Sequence, residues 1–167
     1  MSDELTQHRL DKLARIRERG DEPYKYDFDR TMTIGEAREA LEKLEAENTE
    51  GAQIEGVSLA GRMIATRGQG KVTFSDIRDE SAKIQLFLKK NTLGDDLYDA
   101  LKDLDIGDFI GVQGTVKRTQ KGEITVFAVS WVLLTKTIRA LPEKYHGLTD
   151  VETRYRQRYL DMISNPE

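Results

Sequence analysis

The sequence predicts a mainly β protein: a five-stranded Greek-key barrel, preceded by two helices and followed by a helical linker. Three observations carry this expectation. The apolar period changes from helical over residues 1–53 to a period of two from Ile54 onward. The strand-like segments then come as three, a short helix, and two more. That is the order of the OB-fold barrel, in which the helix plugs the open end between the third and fourth strands. Finally, Gly61, Gly111 and Gly114 fall inside strand segments, where bulges or tight coiling let a small sheet close on itself.

Taken in order, residues 4–19 read as a helix stopped by Gly20, a natural C-terminal cap. Arg9, Lys12, Arg15 and Arg19 share about a third of its circumference at helical pitch. Such charge runs usually face water, and a ridge that touches phosphates is the other reading. Residues 21–32 lack periodicity and read as a tether. Thr33 and Glu36 have capping-box spacing, and Ile34, Ala37, Leu41 and Leu44 form an apolar stripe on a second helix ending near Asn48.

Strands are expected at 55–66, 71–78, 82–89, 108–118 and 123–134, with Thr119 to Gly122 as a hairpin turn. Between the third and fourth, Leu97, Leu101 and Leu104 recur at helical spacing before Gly107. Ile84, Leu86, Leu88, Ile110, Val112 and Val116 should point inward. Ile138 to Leu148 reads as a linker marked by Pro142 and Gly147. A last helix opens at the Thr149–Glu152 capping box, with Val151, Tyr155, Tyr159 and Ile163 on one face. The chain thus divides into a helical appendage (1–53), a barrel (54–139) and a linker leading onward (140–167).

The stretch Val72 to Leu88 reads as a hairpin turning through Glu80 and Ser81, with Asp79 paired to Ala82. On that register Phe74 lies opposite Phe87, and Gln85 opposite Asp76. Phe74 shares parity with Asp76 and Arg78, so it stands on the polar side of the sheet, beside Gln85. A flat ring beside an amide has the parts needed to read an unpaired base: one stacks, the other bonds the base edge. A single bulge would invert the parity and make Phe74 an ordinary barrel residue. Arg67 and Glu123 are weaker candidates from pattern alone. Trp131 and Phe127 read as packing between barrel and helices.

Composition removes several classes. With no cysteine, disulfides and thiolate metal sites are excluded. His8 and His146 have no partners at metal-ligand spacing. Gly68-Gln69-Gly70 lacks the third glycine and following helix of a phosphate cradle. The apolar stretch from Val126 to Leu134 is too short to span a bilayer, and the start has no signal-peptide run, so a cytoplasmic protein is expected. The net charge is −4, but residues 54–139 carry 13 Lys/Arg against 11 Asp/Glu. That argues against indiscriminate nucleic-acid binding without excluding a site that reads a few splayed bases.

The tail LPEKYHGLTDVETRYRQRYLDMI resembles the segment joining the two domains of class II lysyl-tRNA synthetases. The barrel residues Ala60-Gly61-Arg62, Gly70-Lys71, Phe74, Asp76, Arg78-Asp79 and Ile84-Gln85 resemble the anticodon-binding domain of the same family. The resemblance implies lysine tRNA as partner, and neither DNA nor a membrane. It implies that Phe74 stacks on the central base of a uridine-rich anticodon while Gln85 and Arg67 bond its edges. Glu123 would contact a neighbouring anticodon base, and Arg62 is a further candidate.

Family enzymes are homodimers that activate lysine with ATP and Mg²⁺ in a large C-terminal domain. The three catalytic motifs of that domain do not read out of these residues, and only 28 residues follow Arg139. The chain alone is therefore expected to hold neither catalytic residues nor cofactor nor metal, and not to form an aminoacyl-adenylate. Aspartyl- and asparaginyl-tRNA synthetases use a similar barrel and form the alternative. A general single-strand-binding protein and an assembly domain are alternatives of another class.

Overall fold

The structure is a computed structural model that describes residues 2–24, 27–48 and 50–139. The expected linker and last helix lie outside the described residues. Two helices, α1 (Ser2–Glu18) and α2 (Ile34–Glu47), precede β1 (Ile54–Gln69), β2 (Val72–Arg78) and β3 (Lys83–Lys89). Short helices α3 (Lys90–Leu93) and α4 (Asp95–Asp99) and a 3₁₀ turn (Ala100–Asp103) lead to β4 (Phe109–Arg118) and β5 (Ile124–Thr135). The strands close into a barrel in the order β1-β2-β3-β5-β4, with β3 and β5 parallel and the other pairs antiparallel. This is the OB topology that the strand–helix–strand order implies.

Alternation along each strand sorts the core. Ile84, Leu86, Leu88, Ile110, Val112 and Val116 are all buried, as expected, and are joined by Leu59, Ile77 and Val126. All three expected glycines leave no room for a side chain; a Cβ on Gly61 would sit 2.8 Å from the Arg78 carbonyl oxygen. A Cβ on Gly114 would sit 2.2 Å from the Phe127 carbonyl oxygen, and one on Gly111 would sit 2.5 Å from the Phe28 ring. Phe28 belongs to the segment read as a tether, so that segment lies on the barrel rather than free of it. Thr31 adds a bond from its N–H to the Ser58 carbonyl at 2.9 Å.

The β4–β5 ladder skips a residue where Gln113 faces Ser130 and Gly114 faces Ala128. Val129 is pushed out and is 55% exposed. The bulge inverts parity along β5: Ile124, Val126 and Ala128 are buried before it, Trp131 and Leu133 after it.

Helix α1 ends as predicted, with Gly20 at φ +81°. The N–H of Gly20 reaches the Arg17 carbonyl and that of Asp21 the Ile16 carbonyl, a Schellman cap. Its basic stripe does not simply face water, which corrects that reading: it is taken up mostly by partners ahead of β4, with the Arg15 and Arg19 side chains still 45% and 37% exposed. Lys12 Nζ lies 2.7 Å from Asp105, Arg15 donates twice to Asp103 at 3.1 Å, and Arg19 donates to the other Asp103 oxygen. Arg9 reaches the carbonyls of Ile106 and Thr137. Below them Lys136, wholly buried, bridges Asp105 at 2.8 Å and the buried Asp108 at 3.0 Å. Burial opposes the charged forms of Asp103 and Asp105, yet these cations hold both carboxyls below the ordinary range. Leu13 and Ile16 supply the apolar part of the same contact.

Helix α2 has both halves of the expected capping box, Thr33 Oγ1 accepting from Glu36 N–H and Glu36 from Thr33 N–H. Ile34, Ala37 and Leu41 are buried, but Leu44 is 39% exposed.

Candidate nucleic-acid interface

Hairpin β2–β3 sets the geometry of the outer face. Asp79 fixes its turn. One carboxylate oxygen accepts from Ser81 N–H, Ser81 Oγ and Ala82 N–H, and the other from Ile34 N–H at 2.8 Å. Burial works against that carboxylate, but these bonds keep its pKa below the usual value. The resulting register pairs Phe74 with Phe87 and Asp76 with Gln85. Ser75 and Ile77 are buried, so Phe74 and Asp76 face outward, each half-buried.

On β1 the register places Arg67 beside Phe74. The Arg67 guanidinium lies 5.4 Å from the Phe74 ring centre and donates to Gln85 Oε1 at 3.0 Å. Gln85 Nε2 donates in turn to Thr125 Oγ1 at 3.1 Å. Thr125, fully buried, donates from its own hydroxyl to the Glu123 carbonyl at 3.1 Å. That chain of donors fixes which way the Gln85 amide points. Phe74, Gln85 and Arg67 are therefore one group, with the Glu123 backbone attached through Thr125.

Arg62 stands apart from it. It pairs with Arg78 and Phe109, and its guanidinium lies 4.6 Å over the Phe109 ring, where burial lowers its pKa. Four residues of β2 separate that level from Phe74, about 13 Å at strand rise. The Glu123 side chain is exposed at the end of the β4–β5 turn.

Three further residues extend the face, none of which the pattern marked as a site residue. The Phe87 ring meets Phe74 edge-on at 5.2 Å, and Phe127 lies 5.1 Å beyond Phe87. Lys117 Nζ sits 4.4 Å over the Phe127 ring. Phe127 does not pack between barrel and helices, which corrects that expectation; Trp131 does, donating from Nε1 to the Leu97 carbonyl at 3.0 Å. The two aromatics have the same parity in sequence but are separated by the Val129 bulge. A cleft of about 370 Å³ opens on the other face of β1 and β2. Its hydroxyls already pair with one another, Thr66 with Ser75 and Thr73 with Tyr98, each at 3.0 Å.

A barrel presenting an aromatic row, an oriented amide and cations laid on ring faces has the chemistry of a single-strand nucleic-acid surface. Comparison with known proteins agrees. Residues 57–134 match the family described as the OB-fold nucleic acid binding domain, tRNA anticodon type. The chain is 51% identical over 98% of its length to the lysine–tRNA ligase of Carboxydothermus hydrogenoformans. It is 47% identical over its whole length to that of Bacillus subtilis, and 49% over 95% to that of Methanoculleus marisnigri. This chain belongs to the lysine–tRNA ligase family. It spans about a third of the length of these relatives, covering 32%, 33% and 31% of them respectively. Within the lysine–tRNA ligase family it represents the anticodon-type OB domain, and all five candidate residues from Arg62 to Glu123 fall inside the matched span.

Proposed function

We propose that this chain reads the anticodon of lysine tRNA for a lysine–tRNA ligase. The observation that carries the reading is the preassembled group of Phe74, Gln85 and Arg67. Phe74 offers a ring face to a flipped-out base. Gln85 has one N–H and one lone pair left after its bonds to Thr125 and Arg67, and Arg67 keeps most of its five donors. The edge so presented is rich in donors with one acceptor, which complements the two carbonyls and single imino N–H of uracil. Cytosine would set an amino group against those donors. Glu123 contacts a neighbouring base in this reading, and Arg62 contributes positive charge at the margin.

For the whole ligase we carry over ATP- and Mg²⁺-dependent attachment of lysine by a cytoplasmic homodimer, with that chemistry outside these residues. No helix among the described residues is long and apolar enough to cross a membrane. The reading is tested by titrating the chain with the lysine-tRNA anticodon stem-loop and with a version whose central uridine is cytidine. Tight binding to the first alone, lost in Phe74→Ala, is expected. Equal affinity of wild type and Phe74→Ala would refute the site, and equal affinity for unrelated single strands would favour a general binder. Lysine-dependent ATP–pyrophosphate exchange by the chain itself would overturn the assignment of catalysis elsewhere.

A further inference from the structure

Glu123 can contribute to base reading only while its carboxylate is unengaged. The turn before it is fixed by four bonds. Gly122 N–H donates to Thr119 O and Thr119 N–H to Glu123 O, both at 2.9 Å. Glu123 N–H donates to Thr119 Oγ1 at 3.2 Å, and Arg118 Nη1 to Gly122 O at 2.8 Å. The backbone therefore aims the Glu123 side chain, yet its carboxylate has no hydrogen bond or ion pair among the described residues. Arg118 is close enough to feel its charge. An arginine with free donors at that range offers an exposed carboxylate a charge-assisted pair.

Here the arginine is already occupied. Arg118 Nε and Nη2 make a bidentate pair with Glu45 at 2.6 and 3.0 Å, and its remaining arm holds Gly122. Glu45 sits one turn beyond Leu41 on α2, an element that otherwise makes no part of the outer face. The hydrogen bond between the two lowers the pKa of Glu45 and raises that of Arg118.

We propose that Glu45 is a positioning residue for RNA reading: by occupying Arg118 it leaves the Glu123 carboxylate free to accept from a base N–H. A carboxylate only accepts, so the ligand group is an amino or imino edge of a base flanking the one on Phe74, and phosphate is repelled. This rests on the anticodon reading above and adds the residue that makes its acidic member available.

The test measures discrimination by the chain among lysine-tRNA anticodon stem-loops substituted at each anticodon position in turn. Glu123→Gln should lose about tenfold in discrimination at one position, the scale of a bond to a charged acceptor. Glu45→Ala should reproduce that loss at the same position, because Arg118 swings to Glu123, while central-base discrimination and thermal unfolding stay near wild type. Glu45→Gln, which keeps a bond to Arg118 without the charge, should fall between. The double variant Glu45→Ala/Arg118→Ala should regain most of the discrimination, because the three turn bonds that do not use the Arg118 side chain still aim Glu123. A plain brace between helix and turn predicts the reverse, with the double variant as poor as the single or poorer, and that result would overturn the proposal. So would Glu45→Ala with unaltered discrimination. If Glu123→Gln changes nothing at any position, the inference falls with the role given to Glu123, while the Phe74 and central-base measurements are decided separately.

Discussion

The cations of α1 and those on the outer sheet are alike in chemistry and differ in employment. Along α1, Lys12, Arg15 and Arg19 end on Asp103 and Asp105, and the buried Lys136 completes the cluster with Asp108. On the sheet, Arg67, Arg62 and Lys117 lie over aromatic rings, with an amide as the one other partner of Arg67. A carboxylate neutralises a cation; a ring face or an amide leaves its charge available to a polyanion. The same residue types therefore dock a helix in one region and offer a surface to RNA in the other.

Lys136→Met should show the largest effect. Removing this buried cation leaves Asp108 without its ionic partner, and unfolding in urea should register a loss of about 3–5 kcal/mol. Stem-loop discrimination by the folded fraction should not change. Acid should dissect the same region. The carboxyls of Asp103 and Asp105 are depressed in the folded state, so their contribution is fully present above the ordinary carboxylate value near ~3.9. It is lost as pH falls below that, through the folded values. Asp108 is shifted the other way by burial, so its charge costs stability at neutral pH and that cost is relieved on acidification, which blunts the slope. Unfolding free energy followed from pH 6 to 2 reads the sum; the mutant Asp103→Asn should flatten its lower end.

On the sheet the effects move to binding. Phe74→Ala should weaken the stem-loop complex by about 1–3 kcal/mol while leaving the urea midpoint close to wild type. The finest contrast lies in salt dependence. Lys117→Ala should reduce the slope of log affinity against log salt by about 0.7, one phosphate's worth on a single strand, whereas Arg15→Ala should leave it unchanged. A shift of equal size in Arg15→Ala would erase the distinction between the two sets of cations.

What the sequence made legible was local. The β2–β3 register follows from Asp79 and strict alternation within a few residues on either side, and the α2 cap from Thr33 and Glu36. The partners of α1 could not be read in that way, since Asp103 and Asp105 lie 84 to 93 residues from the side chains they bind. Phe127 was misplaced for a different reason. Alternation assigns it to the face of Trp131, and the bulge at Val129 that separates them has no glycine or proline on β5 to announce it. The signal was on the partner strand, where Gly114 admits the displaced Phe127 carbonyl. Thr125 was legible only as a strand residue, because its value lies in a hydroxyl that accepts from Gln85 across two strands that meet in parallel over three residues.

Because β1 closes onto β4, each strand has a partner on both sides along at least part of its length. On the outer face of that barrel, whatever vocabulary the surface has resides in a few outward side chains. Those positions bear little of the core, and exchanging them should alter which bases are preferred while the scaffold beneath endures. Selectivity in such a molecule can evolve almost independently of folding.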